Sequence, residues 1–279
     1  MSSLPQYRCA NLVFMHVVAL TRWGPPLEGE LPALAAHLNV LAYDLRLRLT
    51  GGLPAVFVTV GDEAEANEHL EFLRARGHGA VRCDMDEVPA PEDQLVPSHF
   101  ELHAAAVCGS LPGNRRFDVP YAEILALVHV ASVTSAEQTK ITQEKKLSLG
   151  RAVASGGLIM RKKVDRIDKK MTTEQEQMLY MFCRALAAPY VWKELTLHYQ
   201  GLGDDRKLTT AQNFAELTDR LRARAPHAFY DARLLTQKRR AGITSLAGGA
   251  KDRRIEISNV RENDLAVFLL LRAHFEGQL

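Results

Sequence analysis

The chain reads as an α+β protein, a small α/β sandwich followed by a mainly antiparallel, barrel-like β domain closed by a helix. Three observations predict this. Residues 178–182 and 192–199 are apolar-rich stretches of strand length joined by a short polar connection, and an unbroken apolar run marks a strand covered on both faces. Residues 210–225 then place Phe214, Leu217 and Leu221 on one helical stripe. Nearer the front, residues 12–83 alternate between strand-like and helix-like segments. With 279 residues, 47% hydrophobic and 24% charged, the chain has the composition of a globular protein with two domains of about 100 to 150 residues each.

Taken in order, residues 12–21 form a strand. The apolar run is interrupted by His16, ends at Arg22 and falls short of the roughly 20 residues of a membrane helix. It shows no basic leader and no small-residue cleavage site, so a cytoplasmic protein is expected. Pro25, Pro26 and Gly29 break the strand. Residues 31–49 carry Leu34, Ala35, Leu38, Leu41, Leu45 and Leu49 at helical spacing, with Asn39 as a cap between two short helices. Residues 55–60 are a β-branched strand, Asp62 caps a helix running through Arg76 on Ala66, Leu70 and Leu73, and Gly77 and Gly79 end it before a strand at 80–83.

An acidic linker with Pro89, Pro91 and Pro97 separates a first module, 1–88, from a β-rich domain, 98–232. In the latter, 99–107, 115–121, 124–134, 177–185 and 191–199 read as strands, with a basic, glycine-containing polar insertion at 137–170 in which 158–160 forms a short strand. The remainder, 233–279, is a basic linker followed by a helix capped by Asn263 or Asp264, with Leu265, Phe268, Leu269 and Phe275 on one broad face. That face docks on the chain's own core or supports a homo-oligomer.

Residues 31–83, with two short helices, the Gly51-Gly52-Leu53-Pro54 turn, a strand, a helix and a glycine-terminated strand, resemble the C-terminal domain of the bacterial ribosomal stalk protein and the related fold of the Clp protease adaptor. The lysine-rich helical face of the stalk domain has no counterpart, since these helices hold Arg46, Arg48, Arg74 and Arg76 among many acids. The resemblance implies a small module that binds other proteins. Residues 99–225, strands followed by one closing helix, resemble a pleckstrin-homology-like barrel. That resemblance implies binding of a peptide, a partner protein or a phosphoinositide-like head group, and no catalysis.

Local motifs for chemistry are scarce. Cys9, Cys83, Cys108 and Cys183 have neither zinc-finger nor Cys-x-x-Cys spacing, so free thiols are expected. His99 and His103 are four apart in a strand, roughly 13 Å from one another, which is not metal-ligand geometry. Gly249-Ala250-Lys251-Asp252 lacks the Gly-Lys-Ser/Thr order of a phosphate loop, so residues 242–251 read as a flexible linker. Trp192 reads as a core residue under the closing helix, with a stacking surface as the other use of Pro189-Tyr190-Val191-Trp192. No cofactor and no metal site is expected.

Charge is distributed unevenly. Residues 1–139 hold 9 Lys plus Arg against 17 Asp plus Glu, a net of −8, and the rest holds 26 against 16, a net of +10. Lys145, Lys146, Arg161, Lys162, Lys163, Arg166, Lys169 and Lys170 are therefore the candidate residues for a partner or an anion. The expected function is a non-enzymatic bacterial adaptor or scaffold that binds an acidic partner protein. The alternative is a regulator that binds nucleic acid or an anionic membrane surface through 140–170.

Overall fold

Val17 and Ala19 alternate with Val18 and Leu20 along β1 (His16–Arg22), and all four are buried. Such a strand must be covered on both faces. The computed structural model, which describes residues 15–147, 161–186, 188–237, 242–249 and 252–279, provides both covers. β1 is the middle strand of an antiparallel sheet, between β2 (Ala55–Val60) and β3 (Gly79–Asp84). On one face Val18 and Leu20 pack with Phe57, Leu34, Leu45, Leu49 and Leu73, supplied by α1 (Leu27–His37), α2 (Ala42–Leu49) and α3 (Glu63–Ala75). On the other, Ala19, Val81 and Cys83 meet Leu269 and Ala273 of the last helix, α5 (Val260–Phe275). Asn39 caps the C-terminal end of α1 rather than the start of α2: it takes φ 51°, and Val40 N–H donates back to Ala35 O at 3.0 Å. Asp62 caps α3 by accepting from Glu65 N–H at 2.9 Å.

Beyond the linker, β4 (His99–Leu102), β5 (Ala106–Leu111) and β6 (Arg115–Pro120) form an antiparallel meander, so the single strand expected at 99–107 is a hairpin. Facing it are parts of β7 (Ile124–Leu147), β8 (Arg161–Cys183), β9 (Tyr190–Lys193) and β10 (Phe229–Leu234). β10, absent from the sequence reading, pairs parallel to β7. Phe100, Val107, Phe117, Leu127, Leu179, Met181 and Trp192 join one core with Phe214, Leu217 and Leu221 of α4 (Thr210–Arg224). The run at 178–182 is buried throughout because its two faces have different partners. Leu179 and Met181 enter that core, while Tyr180 donates its hydroxyl to Asp264 Oδ1 at 2.6 Å and Phe182 meets Phe268 with ring centroids 5.4 Å apart.

α5 thus lies between two sheets, with Ala266, Val267, Leu269, Leu270 and Ala273 buried. It starts at Val260, so Asn263 and Asp264 are not caps but buried side chains of its first turns. Asn263 Nδ2 donates to Ala131 O at 3.0 Å, and Asp264 Oδ1 also accepts from Gln94 Nε2 at 2.9 Å. The protein is α+β. Among the described residues none of its three sheets closes into a barrel; in the largest, β11 (Gly242–Gly249) and β12 (Asp252–Ser258) precede β7, β8 and β9 in the strand order β11-β12-β7-β8-β9, which leaves two ends open.

The contacts divide the chain into two units, residues 1–131, 177–239 and 262–279 forming one and residues 132–176 and 240–261 the other. All the packing given so far lies in the first. The second is made of strands: β12 (Asp252–Ser258) pairs antiparallel with β11 (Gly242–Gly249) and with β7 from Thr134 to Lys140, and β7 neighbours β8. Asn259 Oδ1 accepts from Val133 N–H at 2.9 Å. Two expectations are corrected here. The described parts of the polar insertion at 137–170 are strand rather than loop, and residues 242–249 are strand rather than flexible linker. Charge and glycine argued for loops, but ladder hydrogen bonds and the β-branched Thr139, Ile141, Thr142, Val164, Ile167, Thr172 and Thr173 outweigh them. Residues 158–160 and Lys251 lie outside the described residues.

Candidate functional site

α2 is eight residues long and apolar on two opposite sides. Leu45 and Leu49, four apart, point into the core. Tyr43 and Leu47, also four apart, are 70% and 46% exposed, and Leu41 just before the helix is 72% exposed. Leu41, expected inward by its spacing, is not in the helix at all. It sits at the N-cap in extended backbone, φ −70° and ψ 136°, with no side-chain cap hydrogen bond, and so leaves the helical stripe that spacing assigned to it.

Place and charge make this stripe a candidate site. α2 packs against β2, and β2 is an outer strand of its sheet with Val56 exposed on it. An outer strand carries backbone N–H and C=O groups that no neighbouring strand of the sheet pairs. Arg46 and Arg48 on α2 are exposed and have no ion-pair partner among the described residues. Asp44 is the helix's one acid.

The residues singled out by charge are distributed along two strands. Lys145 and Lys146 lie on β7, and Arg161, Lys162, Lys163, Arg166 and Lys169 on β8; the side chains of these seven are outside the described residues. Lys170, also on β8, is exposed. Trp192 is fully buried, with Phe100 and Phe117 at ring-centroid distances of 6.0 and 5.9 Å. It is a core residue and offers no stacking surface. His99 stacks on His198 at 4.4 Å, while His103 lies near Glu101, 3.4 Å between Nε2 and Oε2.

Burial and pairing shift several titratable groups. Burial pushes the Cys83 thiol up to about 11 and Cys183 up to about 12, so neither supplies a thiolate near neutrality. Burial lowers His129 to about 4, and it lowers His37, helped by the neighbouring His69. The Glu30 carboxyl is lowered, chiefly by its hydrogen bond from Arg76; Arg76 Nη2 donates to Glu30 Oε1 at 3.1 Å. Next to this pair His78 Nδ1 accepts from Gly24 N–H at 3.1 Å. These contacts tie α1 to the turn after α3. Among the described residues there is no group of three or more His, Cys, Asp or Glu placed to hold a metal ion, and no helix is long and apolar enough to cross a membrane.

The exposed stripe escaped sequence reasoning, because Tyr43 and Leu47 look like any other apolar residues of a short helix. The available signal was a helix with apolar residues at both 43/47 and 45/49, twice what one buried face requires. Comparison with protein-family models, with curated proteins and with solved structures finds no match for this chain.

Proposed function

We propose that the protein is a non-enzymatic adaptor or scaffold whose N-terminal module binds a partner protein as an extended segment along the outer edge of β2, beside α2. The observation that carries this reading is the exposed stripe Leu41, Tyr43 and Leu47 on a helix packed against an outer strand. An outer strand takes up a fourth strand through main-chain hydrogen bonds, and pockets for alternate side chains give specificity. An apolar stripe facing solvent beside such an edge is the usual mark of an interface. Arg46 and Arg48 favour acidic residues in the incoming segment.

The test is selection of peptides from a displayed random library on the full chain and on a Tyr43→Ser, Leu47→Ser double variant. The expected result is enrichment of segments alternating apolar and acidic residues on the parent and none on the variant, with both chains melting alike. Enrichment that survives the double substitution overturns the reading, as does the absence of any enriched motif.

A second reading has its own observation. The basic residues of 140–170 lie on two long neighbouring strands, and β-ribbons are an established means of reaching into nucleic-acid grooves. We infer for this reading a salt-sensitive association with duplex DNA or anionic vesicles. It is lost when Arg161, Lys162, Lys163, Lys169 and Lys170 are changed to Ser, and binding that withstands those changes rules it out.

A further inference from the structure

A concave surface apart from the docking edge lies where the β4–β5–β6 meander meets the segment after β9. It is a groove of about 480 Å³. Its polar lining comes from three places in the chain: His99 from β4, Ser110, Asn114 and Arg116 from the β5–β6 turn region, and His198 and Gln200 from the segment following β9. The backbone holds these together closely. Ser98 N–H donates to Ser110 O at 2.9 Å and His198 N–H to Ser98 O at 2.9 Å. Gly201 and Gly109 close the floor, since a Cβ on either would strike a carbonyl oxygen, of Phe100 and His99 respectively.

The electrostatics favour an anion. Glu101 is the one acidic side chain lining the groove among the described residues, and it already faces His103, 3.4 Å away. Arg116 is exposed and has no ion-pair partner among the described residues. Ser98 Oγ donates to Ser110 O at 3.1 Å, and His99 Nδ1 lies 3.1 Å from Ser98 Oγ and 3.4 Å from Ser110 Oγ. That leaves Nε2 as the ring nitrogen available to a ligand. His198 stacks on this ring with centroids 4.4 Å apart and planes 21° from parallel.

We propose that this groove binds a small phosphomonoester. A guanidinium, two imidazoles, a hydroxyl and two amides offer more hydrogen-bonding groups than a carboxylate's two oxygens can use, and they match the three terminal oxygens of a phosphate. Near neutrality a phosphomonoester is a mixture of monoanion and dianion. His99 Nε2 serves either form, since an imidazole nitrogen accepts from a P–OH or donates to a phosphate oxygen according to its tautomer. The groove's volume exceeds that of a bare phosphate, and Phe100 and Phe117 also line it, which leaves an apolar wall for the ester substituent.

The experiment is calorimetric titration of the full chain with adenosine monophosphate, glucose 6-phosphate, inorganic phosphate and acetate, repeated on Arg116→Gln and His198→Asn. Binding of at least one ester more tightly than acetate, weakened about tenfold to a hundredfold by Arg116→Gln, is expected. The preferred ester then assigns a nucleotide or a sugar phosphate as the source. Equal binding of esters and acetate, no binding of either ester, or full affinity in Arg116→Gln overturns the proposal. Arg116 is solvent-exposed, so matching melting curves verify that the variant is folded. Tyr43→Ser with Leu47→Ser leaves ester binding unchanged, which separates this groove from the docking edge.

Discussion

α4 and α2 are both amphipathic helices packed on a sheet, yet they treat their outer faces in opposite ways. α4 buries Phe214, Leu217 and Leu221 and covers its other side with paired charges: Arg220 bonds Glu216 at 2.8 Å and also reaches Asp205, and Arg222 lies 3.4 Å from Asp219. Its N-terminus is capped by Thr209, which accepts from Gln212 N–H at 3.2 Å. α2 buries Leu45 and Leu49, exposes Tyr43 and Leu47, leaves Arg46 and Arg48 without an ion-pair partner among the described residues, and has no side-chain cap. One helix is finished on every side and the other is not. The difference teaches that the inward residues of a helix report its fold, whereas its outward residues report its use.

Three experiments break or sharpen that contrast. The largest effect is expected at Phe214→Ala, where a fully buried ring of α4 is lost; denaturant unfolding should show a destabilisation of about 3–5 kcal/mol. A loss under 1 kcal/mol would mean that α4 is no better anchored than α2. Next comes pH. His129, whose ring lies 5.6 Å from that of Phe214, is buried with Nε2 unpartnered among the described residues. Burial holds it down to about 4, against smaller opposing effects of Gln177 and Asp219. The unfolded chain binds a proton near 6.5 that the folded chain refuses until about 4, so stability present above pH 6.5 is lost as pH falls through that window. The loss is up to about 3 kcal/mol, and in His129→Leu unfolding curves from pH 7 to pH 4 the slope should flatten. An unchanged slope would assign the acid sensitivity elsewhere. The smallest effect is at the caps: Thr209→Ala should cost about 1 kcal/mol, whereas Leu41→Ser should stabilise by a similar or smaller amount, since it adds a cap that α2 lacks. Equal and opposite signs there would confirm that α2 forgoes a cap to keep an apolar side chain outside.

The inward half of this contrast was legible from the amino acids. Phe214, Leu217 and Leu221, the Asp62 cap and the strand at 55–60 follow from spacing and capping chemistry alone, because burial imposes periodicity. The outward half was not. Leu41 obeys helical spacing yet precedes the helix, and the surplus of apolar residues at 43/47 and 45/49 shows that one pair must face outward without saying which. The two strands at 242–249 and 252–258 were hidden for another reason: they form a hairpin with each other, and the strand that the hairpin joins through 252–258, β7, is more than 100 residues earlier in the chain, where pairing leaves little trace in local composition. The phosphate groove was equally hidden, since His99, Arg116 and His198 converge only through the fold. His99 was weighed against His103, its neighbour in sequence, when its neighbour in space is His198.

The placement of α5 between two sheets bears on how the chain reaches this state. Ala19 and Val81 in the first sheet wait for Leu269 and Ala273, and Thr21 Oγ1 donates to Gln278 O across 257 residues. A ribosome emits about 5–20 residues per second, so the N-terminal sheet spends on the order of ten seconds or more with one apolar face uncovered before its cover emerges. Contacts of such high sequence separation slow folding and leave a nascent chain dependent on whatever shields that face in the interval. Maturation of the N-terminal module is therefore a late event, gated by synthesis of residues 262–278 rather than by its own local propensities.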